Sequence, residues 1–376
     1  MQSIHLLIKP ASGLCNIRCR YCFYCDITQK RELPSYGVMT METLENIICK
    51  TLSTARREAT FAYQGGEPTL AGLEFFRQSI QMQKKYNTRG ITIHNAIQTN
   101  GMVVDEGWAK FFAENHFLVG LSLDGGKDTH DLFRVDAQGQ GTYNRVMKTA
   151  RLFEKFGVQY NILTVVNSVT AKRVESVYSH FKKQGFRYIQ FIPCLDPLGE
   201  EIGGHDYSLT PQMFGEFLNH LFRLWYRDVI AGQGISIRTF DNYISMLMGY
   251  PPECCGMSGV CGVQNVVEAD GSVYPCDFYV LDPYRLGNLN TDSFEQLEQK
   301  RRELRFIEDS AQFNEQCEQC PYFFICRGGC RRMRLPQEGY RYPMNYFCSS
   351  YQSFFRENLG KMQQLAEQLR RRQMGF

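Results

Sequence analysis

The sequence predicts an α/β protein: a parallel sheet of six strand–helix units, followed by a second region of different character. Three observations carry this. Strand-like and helix-like patterns alternate through about residue 234. From about Ile235 the patterned segments become short and cysteines crowd in. Three more cysteines, Cys15, Cys19 and Cys22, sit in one loop directly after the first strand.

The elements follow in order. Residues 4–8 are a short apolar run and read as the first strand. Residues 40–57 read as a helix with Leu44, Ile47, Ile48 and Leu52 on one face. The second strand is 59–64, and a helix follows from about 72 to 86. Strands three to six are 91–98, 117–123, 158–166 and 188–193. Helical patterns separate them; in 143–156, Val146, Ala150 and Phe153 recur at i, i+4 and i+7. Such sheets carry helices outside and place their chemistry beyond the carboxyl ends of the strands.

The strand ends are therefore where a site belongs. The first ends in Cys15-x3-Cys19-x2-Cys22, a loop that can turn three thiolates onto one metal cluster. A fully protein-ligated [4Fe–4S] cube takes four thiolates, so three leave one iron open for another ligand. The second ends in Gln64-Gly65-Gly66-Glu67-Pro68. Its glycines let backbone approach a ligand, and Glu67 is placed to accept from an ammonium group. The third ends in Gln98-Thr99-Asn100-Gly101, the fourth in Ser122-Leu123-Asp124-Gly125 and the sixth in Pro193-Cys194-Leu195-Asp196. Each of these alone reads as an ordinary turn. Their recurrence at strand ends, above a cysteine loop, points to a site.

The second region holds Cys254, Cys255, Cys261, Cys276, Cys317, Cys320, Cys326, Cys330 and Cys348. Two four-thiolate sites need one fewer, and the adjacent pair Cys254–Cys255 explains the spare. Residues 269–272, Ala-Asp-Gly-Ser, read as a hairpin leading into Cys276. Zinc uses similar C-x2-C knuckles, so spacing does not choose between zinc and iron–sulfur. The upstream three-cysteine loop favours iron–sulfur, because electrons must enter or leave. The tail, 354–372, is polar and helical in pattern, and its run at 370–372 reads as a solvated helix end.

Composition sets bounds. The 376 residues are 43% hydrophobic, enough for a large core and more than one domain. A net charge of +3 with 22% charged residues implies no strong field for nucleic acid or membrane. No stretch approaches the ~18 apolar residues of a membrane span, and residues 1–9 lack the pattern of a signal peptide. Cysteines at metal spacings in a large chain fit a reducing cytoplasm better than disulfides.

On these residues the chain resembles the anaerobic sulfatase-maturating enzymes of the cysteine type, radical S-adenosylmethionine (SAM) enzymes with a C-terminal SPASM domain. The resemblance is carried by 6–11 (LLIKPA), 15–24, 63–75 (YQGGEPTLAGLEF), 118–122, 271–282 (GSVYPCDFYVLD), the cysteine ladder and Cys330-Arg331-Arg332. It implies a partial (β/α)6 TIM-like barrel at 1–234, a SPASM domain with two auxiliary iron–sulfur clusters at 235–350, and a C-terminal helix at 351–376. It implies a SAM cluster on Cys15, Cys19 and Cys22, with SAM met by Tyr21, Gly66, Ser122, Arg134 and Leu195. It implies a first auxiliary [4Fe–4S] cluster on Cys255, Cys261, Cys276 and Cys330. The second would use Cys317, Cys320, Cys326 and Cys348.

The implied reaction converts a cysteine, with serine as the alternative, to Cα-formylglycine in an unfolded sulfatase segment of Cys-x-Pro-x-Arg type. A 5'-deoxyadenosyl radical takes hydrogen from the substrate Cβ, and the thiol then loses a proton and the site an electron. Asp277 occupies the position of the family's base. A carboxylate serves if burial raises its proton affinity; otherwise an aspartate here satisfies hairpin amides. Tyr24, Gln64 and Gln98 are polar groups near the mouth that suit a peptide backbone. A low-potential donor such as flavodoxin or ferredoxin, and a monomeric state, complete the expectation. Cys25, Cys49, Cys194 and Cys254 have no assigned role, with Cys49 reading as core.

Two other functions compete. A SPASM enzyme making thioether or carbon–carbon crosslinks in another peptide often carries an N-terminal leader-binding domain, for which strand one, starting within the first few residues, leaves no room. A non-catalytic electron carrier would not need the cysteine loop together with Gly65-Gly66-Glu67.

Overall fold

The computed structural model describes residues 2–373. Six parallel strands, β1 (Ser3–Ile8), β2 (Glu58–Tyr63), β3 (Thr92–Thr99), β4 (Leu118–Ser122), β5 (Gln159–Val166) and β6 (Tyr188–Pro193), lie side by side in chain order. Helices connect them, as a partial (β/α)6 barrel requires. The registers are continuous, with Ile8 opposite Tyr63 and Tyr63 opposite Ile97.

Local chemistry sets the helix ends. The helix Met41–Thr54 starts where the Thr40 side chain accepts from the Thr43 amide. It stops three residues short of the expected end at 57. The amides of Arg56 and Arg57 turn instead to the Gln2 carbonyl, which ties the helix exit to the entry of β1.

Successive strand residues face opposite sides. Ile4, Ile8, Phe61, Val119 and Phe191 join helix residues such as Leu44, Ile47, Phe76 and Phe112 in one apolar core. His5, Leu7, Thr60, Ala62, Val165 and Ile192 face an inner cavity instead. Burial on the outside thus fixes which residues are left for chemistry on the inside.

The sheet does not stop at residue 234. A short strand β7 (Ser236–Ile237) extends it beyond β6, with Tyr188 opposite Ser236. At the other edge β8 (Asn265–Val267) pairs parallel with β1, Leu6 opposite Asn265. The strands β9 (Ser272–Tyr274) and β10 (Gly287–Asn288) follow antiparallel. The order is β10-β9-β8-β1-β2-β3-β4-β5-β6-β7. The expected boundary at 234/235 therefore lies within one ten-stranded sheet. The Asp270-Gly271 turn joins β8 to β9 as expected for a hairpin, with Gly271 at φ 87°.

The last helix runs Cys348–Gln373, three residues longer at its start than expected; residues 374–376 of that expectation, like residue 1 of the barrel, lie outside the described residues. It is not a free tail. Phe354, Phe355 and Met362 are buried, with Phe222 and Tyr243 among the packing rings. Arg370 donates to the Leu247 carbonyl at 2.6 Å. Among the described residues no helix is long and apolar enough to cross a membrane.

Candidate functional site

The loop after β1 is pinned from both sides. Residues Ile17–Cys19 pair antiparallel with Arg134–Asp136, so that Cys19 faces Arg134 in register. The turn after β2 lies against the same loop: Glu67 donates its amide to the Leu14 carbonyl at 2.8 Å. Gly66 sits at φ 54°, and a Cβ there would be 2.2 Å from that carbonyl oxygen. No other residue fits, because the obstacle is backbone that also carries Cys15.

Cys15, Cys19 and Cys22 are close enough for their charges to act on one another. Burial pushes the Cys15 thiol up to about 11 and the Cys19 thiol up to about 12. Three crowded sulfurs cannot all be thiolates unless a cation compensates them. This donor set fits an iron–sulfur cluster.

The second region forms two more such groups. Cys330 feels Cys255 and Cys261, and Cys276 feels Cys330 and Cys261. Cys326 feels Cys348, Cys317 and Cys320, and these four line one cavity beside Tyr351. The structure thus brings together the two sets of four that the family resemblance implies. Among the described residues no three His, Cys, Asp or Glu converge on a single-ion site. One zinc draws its ligands to about 2.3 Å of one centre, whereas a cube takes each sulfur on a separate iron and spaces them more widely.

A cavity of about 650 Å³ joins the barrel to the second region. Cys19 and Cys22 line it together with Cys255, Cys261, Cys276 and Cys330. Tyr21, Ser122, Arg134 and Leu195 line it, as do Gln64, Gln98 and Asp277. Cys194 and Cys254 also reach it, whereas Cys25 is exposed and Cys49 half-buried on its helix.

Asp277 lines this cavity with both carboxylate oxygens engaged by side chains. Its Oδ1 forms an ion pair with Lys9 Nζ at 2.5 Å, and its Oδ2 accepts from Gln64 Nε2 at 2.8 Å. Lys9 is wholly enclosed, with Nζ 3.7 Å above the centre of the Tyr24 ring. The Tyr24 hydroxyl in turn donates to Glu268, which Arg31 meets at 2.5 Å. Each Asp277 oxygen thus keeps one lone pair uncommitted.

Two expectations need correction. Tyr24 is not at the mouth: it is buried in a small apolar group with Ile27, Val266, Tyr274 and Val280, and its hydroxyl is committed to Glu268. It supports Lys9 from behind. Glu67 does not offer its carboxylate to a ligand. It is 1% exposed and accepts from the Thr69 amide and hydroxyl, the Thr99 hydroxyl and the Asn100 amide. Three of these donors meet Oε1 and the Asn100 amide meets Oε2, so Glu67 locks the turn after β2 to the end of β3.

Lys9, Asp124, His130 and Glu268 escaped the sequence reading. Lys9 follows the first strand directly, where the strand-end rule places site residues; Asp124 reads locally as part of a turn. Asp124 binds Arg134 Nε at 2.8 Å and receives the Tyr21 hydroxyl. Burial holds His130 neutral, pushing it down to about 3. Nothing local distinguishes Glu268 from any polar residue before a hairpin.

Comparison with known proteins agrees with this layout. The Radical SAM superfamily model matches residues 10–181, and a SPASM model, an iron-sulfur cluster-binding domain, matches 255–321. A cysteine-type anaerobic sulfatase-maturating enzyme of Clostridium novyi is 47% identical over 373 residues, covering 99% of this chain and all of that protein. A serine-type enzyme of Bacteroides thetaiotaomicron is 32% identical, over 94% of this chain and 88% of its own. The solved structure of native anSMEcpe with bound AdoMet and Kp18Cys peptide superposes with a TM-score of 0.93 at 46% identity, covering 97% of this chain and 99% of that one.

Proposed function

The chain belongs to the cysteine-type anaerobic sulfatase-maturating enzymes, radical SAM proteins with a SPASM domain, and from that premise we propose how its own residues carry the reaction. It is a SAM-dependent radical oxidoreductase with [4Fe–4S] clusters that converts a cysteine of a sulfatase peptide to Cα-formylglycine. When bound, SAM and the clusters supply hydrogen-atom abstraction at the substrate Cβ and an acceptor for the remaining electron.

The observation that carries the proposal is Asp277, held by Lys9 and Gln64 in the cavity that both cysteine groups line. Cys15, Cys19 and Cys22 hold the SAM cluster. Tyr21, the Gly66 backbone, Ser122, Arg134 and Leu195 meet SAM. Cys255, Cys261, Cys276 and Cys330 hold the first auxiliary cluster, and Cys317, Cys320, Cys326 and Cys348 the second. Asp277 takes the substrate thiol proton. Lys9 fixes one carboxylate oxygen and Gln64 the other, which leaves one lone pair on each to take the proton. Gln64 and Gln98 remain as peptide contacts, and water then hydrolyses the thioaldehyde to the aldehyde, releasing the sulfur as hydrogen sulfide.

The substrate segment is extended and unfolded, of Cys-x-Pro-x-Arg type, because a cysteine in a folded core does not reach the cavity. Cysteine rather than serine is the residue acted on: the cysteine-type relative is 47% identical and the serine-type one 32%. A low-potential donor such as flavodoxin or ferredoxin feeds a monomeric enzyme in the cytoplasm; cysteines at metal spacings support that reducing setting.

Mass spectrometry tests this directly. A Cys-x-Pro-x-Arg peptide incubated anaerobically with reconstituted enzyme, reductant and SAM gains formylglycine, whereas a folded, unmodified sulfatase is converted far more slowly. Equal rates on both would sink the extended-substrate reading.

Lys9 provides a second check. Lys9→Met keeps a long apolar stem and removes the charge beside Asp277. Formylglycine is expected to fall on the order of tenfold, the lower range for an orienting partner, while SAM cleavage to 5'-deoxyadenosine continues. If both products fall in parallel, Lys9 serves the cysteine loop and not the base.

A further inference from the structure

We propose that Asp124 is a positioning residue: it clamps Arg134 so that a cationic N–H rests on the sulfur of Cys19, and so sets the reduction potential of the cluster held by Cys15, Cys19 and Cys22. The inference rests on the cluster assignment above and adds to it a residue without a role in that assignment.

The geometry is specific. Asp124 is wholly buried, and both its oxygens are used. Oδ1 accepts from the Val165 amide at 2.9 Å and from Arg134 Nη2 at 3.3 Å. Oδ2 accepts from Arg134 Nε at 2.8 Å and from the Tyr21 hydroxyl. A guanidinium is planar and rigid. With its Nε–Nη2 edge fixed on the carboxylate, Nη1 has one direction left, and it meets Cys19 Sγ at 3.7 Å.

The surroundings leave little freedom. Cys19 and Arg134 face each other in the two-stranded ribbon, so the backbone already sets their separation. His130 ties the two ends of the ion pair together. Its Nδ1 accepts from the Asp124 amide at 3.2 Å, and its Nε2 donates to Thr142 Oγ1 at 2.9 Å. The Thr142 hydroxyl then donates to the Arg134 carbonyl at 2.9 Å. His130 and Thr142 are almost wholly buried. A chain of this kind is more than one ion pair needs for stability. It fits a requirement for one fixed orientation.

Hydrogen bonds to cluster sulfurs and nearby charge are what move iron–sulfur potentials. A cation donating to Cys19 favours the reduced cluster, because reduction adds negative charge there. Arg134 therefore raises the potential, and Asp124 keeps it in place. Asp124 taken merely as a charge would act the other way: removing a carboxylate from beside a cluster makes reduction easier. The two roles of Asp124 differ in sign, which makes them separable.

The test is an EPR-monitored redox titration of the reconstituted holoenzyme without SAM, following the signal that changes when SAM is added, with iron content measured alongside. Asp124→Asn and Arg134→Gln are both expected to make the cluster harder to reduce. A tenfold lower reduced-to-oxidised ratio at fixed potential corresponds to about 59 mV for one electron. The double variant is expected to match Arg134→Gln alone, since Asp124 acts through Arg134. A rise in potential for Asp124→Asn, or additive shifts in the double variant, overturns the positioning role. Should Asp124→Asn not load its clusters, Arg134→Lys decides. Lysine keeps the charge but cannot grip Asp124 and reach Cys19 together, so the potential falls if the clamp matters and stays if only charge does. A wild-type chain that carries no cluster on Cys15, Cys19 and Cys22 would instead sink the underlying assignment.

Discussion

Replacing Cys15, Cys19 and Cys22 together by alanine is expected to remove about four of about twelve irons per chain, one cube of three. SAM cleavage is expected to vanish with them, since no open iron is left to take the cofactor. The other eight sulfurs come from segments beyond residue 254, so their irons remain. The loop keeps its place as well, because backbone pairing with Arg134–Asp136 and the Leu14 carbonyl hold it. Iron analysis and chromatography of 5'-deoxyadenosine give the two readings. Loss of all the iron would mean that the cysteine loop is needed to assemble the whole chain. Zinc in place of iron after residue 254 would refute the assignment of Cys255 through Cys348.

Asp277→Asn separates radical generation from product formation. Asparagine keeps the size and can still meet Lys9 and Gln64, but it has no basicity to offer. The variant is expected to hold all three clusters and to cleave SAM. Formylglycine is expected to fall by on the order of 10²-fold or more, the usual scale for losing a general base. The neutral side chain also leaves Lys9 as an unpaired buried cation, so some loss of thermal stability accompanies the substitution. Loss of iron from Asp277→Asn would make the residue a support for the neighbouring Cys276. Normal turnover would place the base elsewhere. Both outcomes leave the radical SAM identity intact.

Much of this was open to sequence reasoning because it is local. Six strands alternate with helices, and β6 spans Tyr188–Pro193, the residues expected for it. Cysteine spacing within a loop is likewise a property of neighbouring residues. What failed was long-range. Tyr24 follows Cys22 closely and looked like a peptide contact, but the hairpin around Asp270 and Gly271 brings Glu268 to its hydroxyl from 244 residues away. Glu67 looked free to bind an ammonium group until the ends of β2 and β3 came together and supplied donors from Thr99 and Asn100.

By itself, the sequence determined the fold class and the family, since each is written in residue order, spacing and short motifs. Only the tertiary structure decided what each charge faces. Lys9 and Asp277 are 268 residues apart and meet at 2.5 Å because β8, on the far side of the expected domain boundary, pairs with β1. A buried charge requires a partner, but the partner can come from any strand that packing brings alongside, and no pattern in the chain names it in advance.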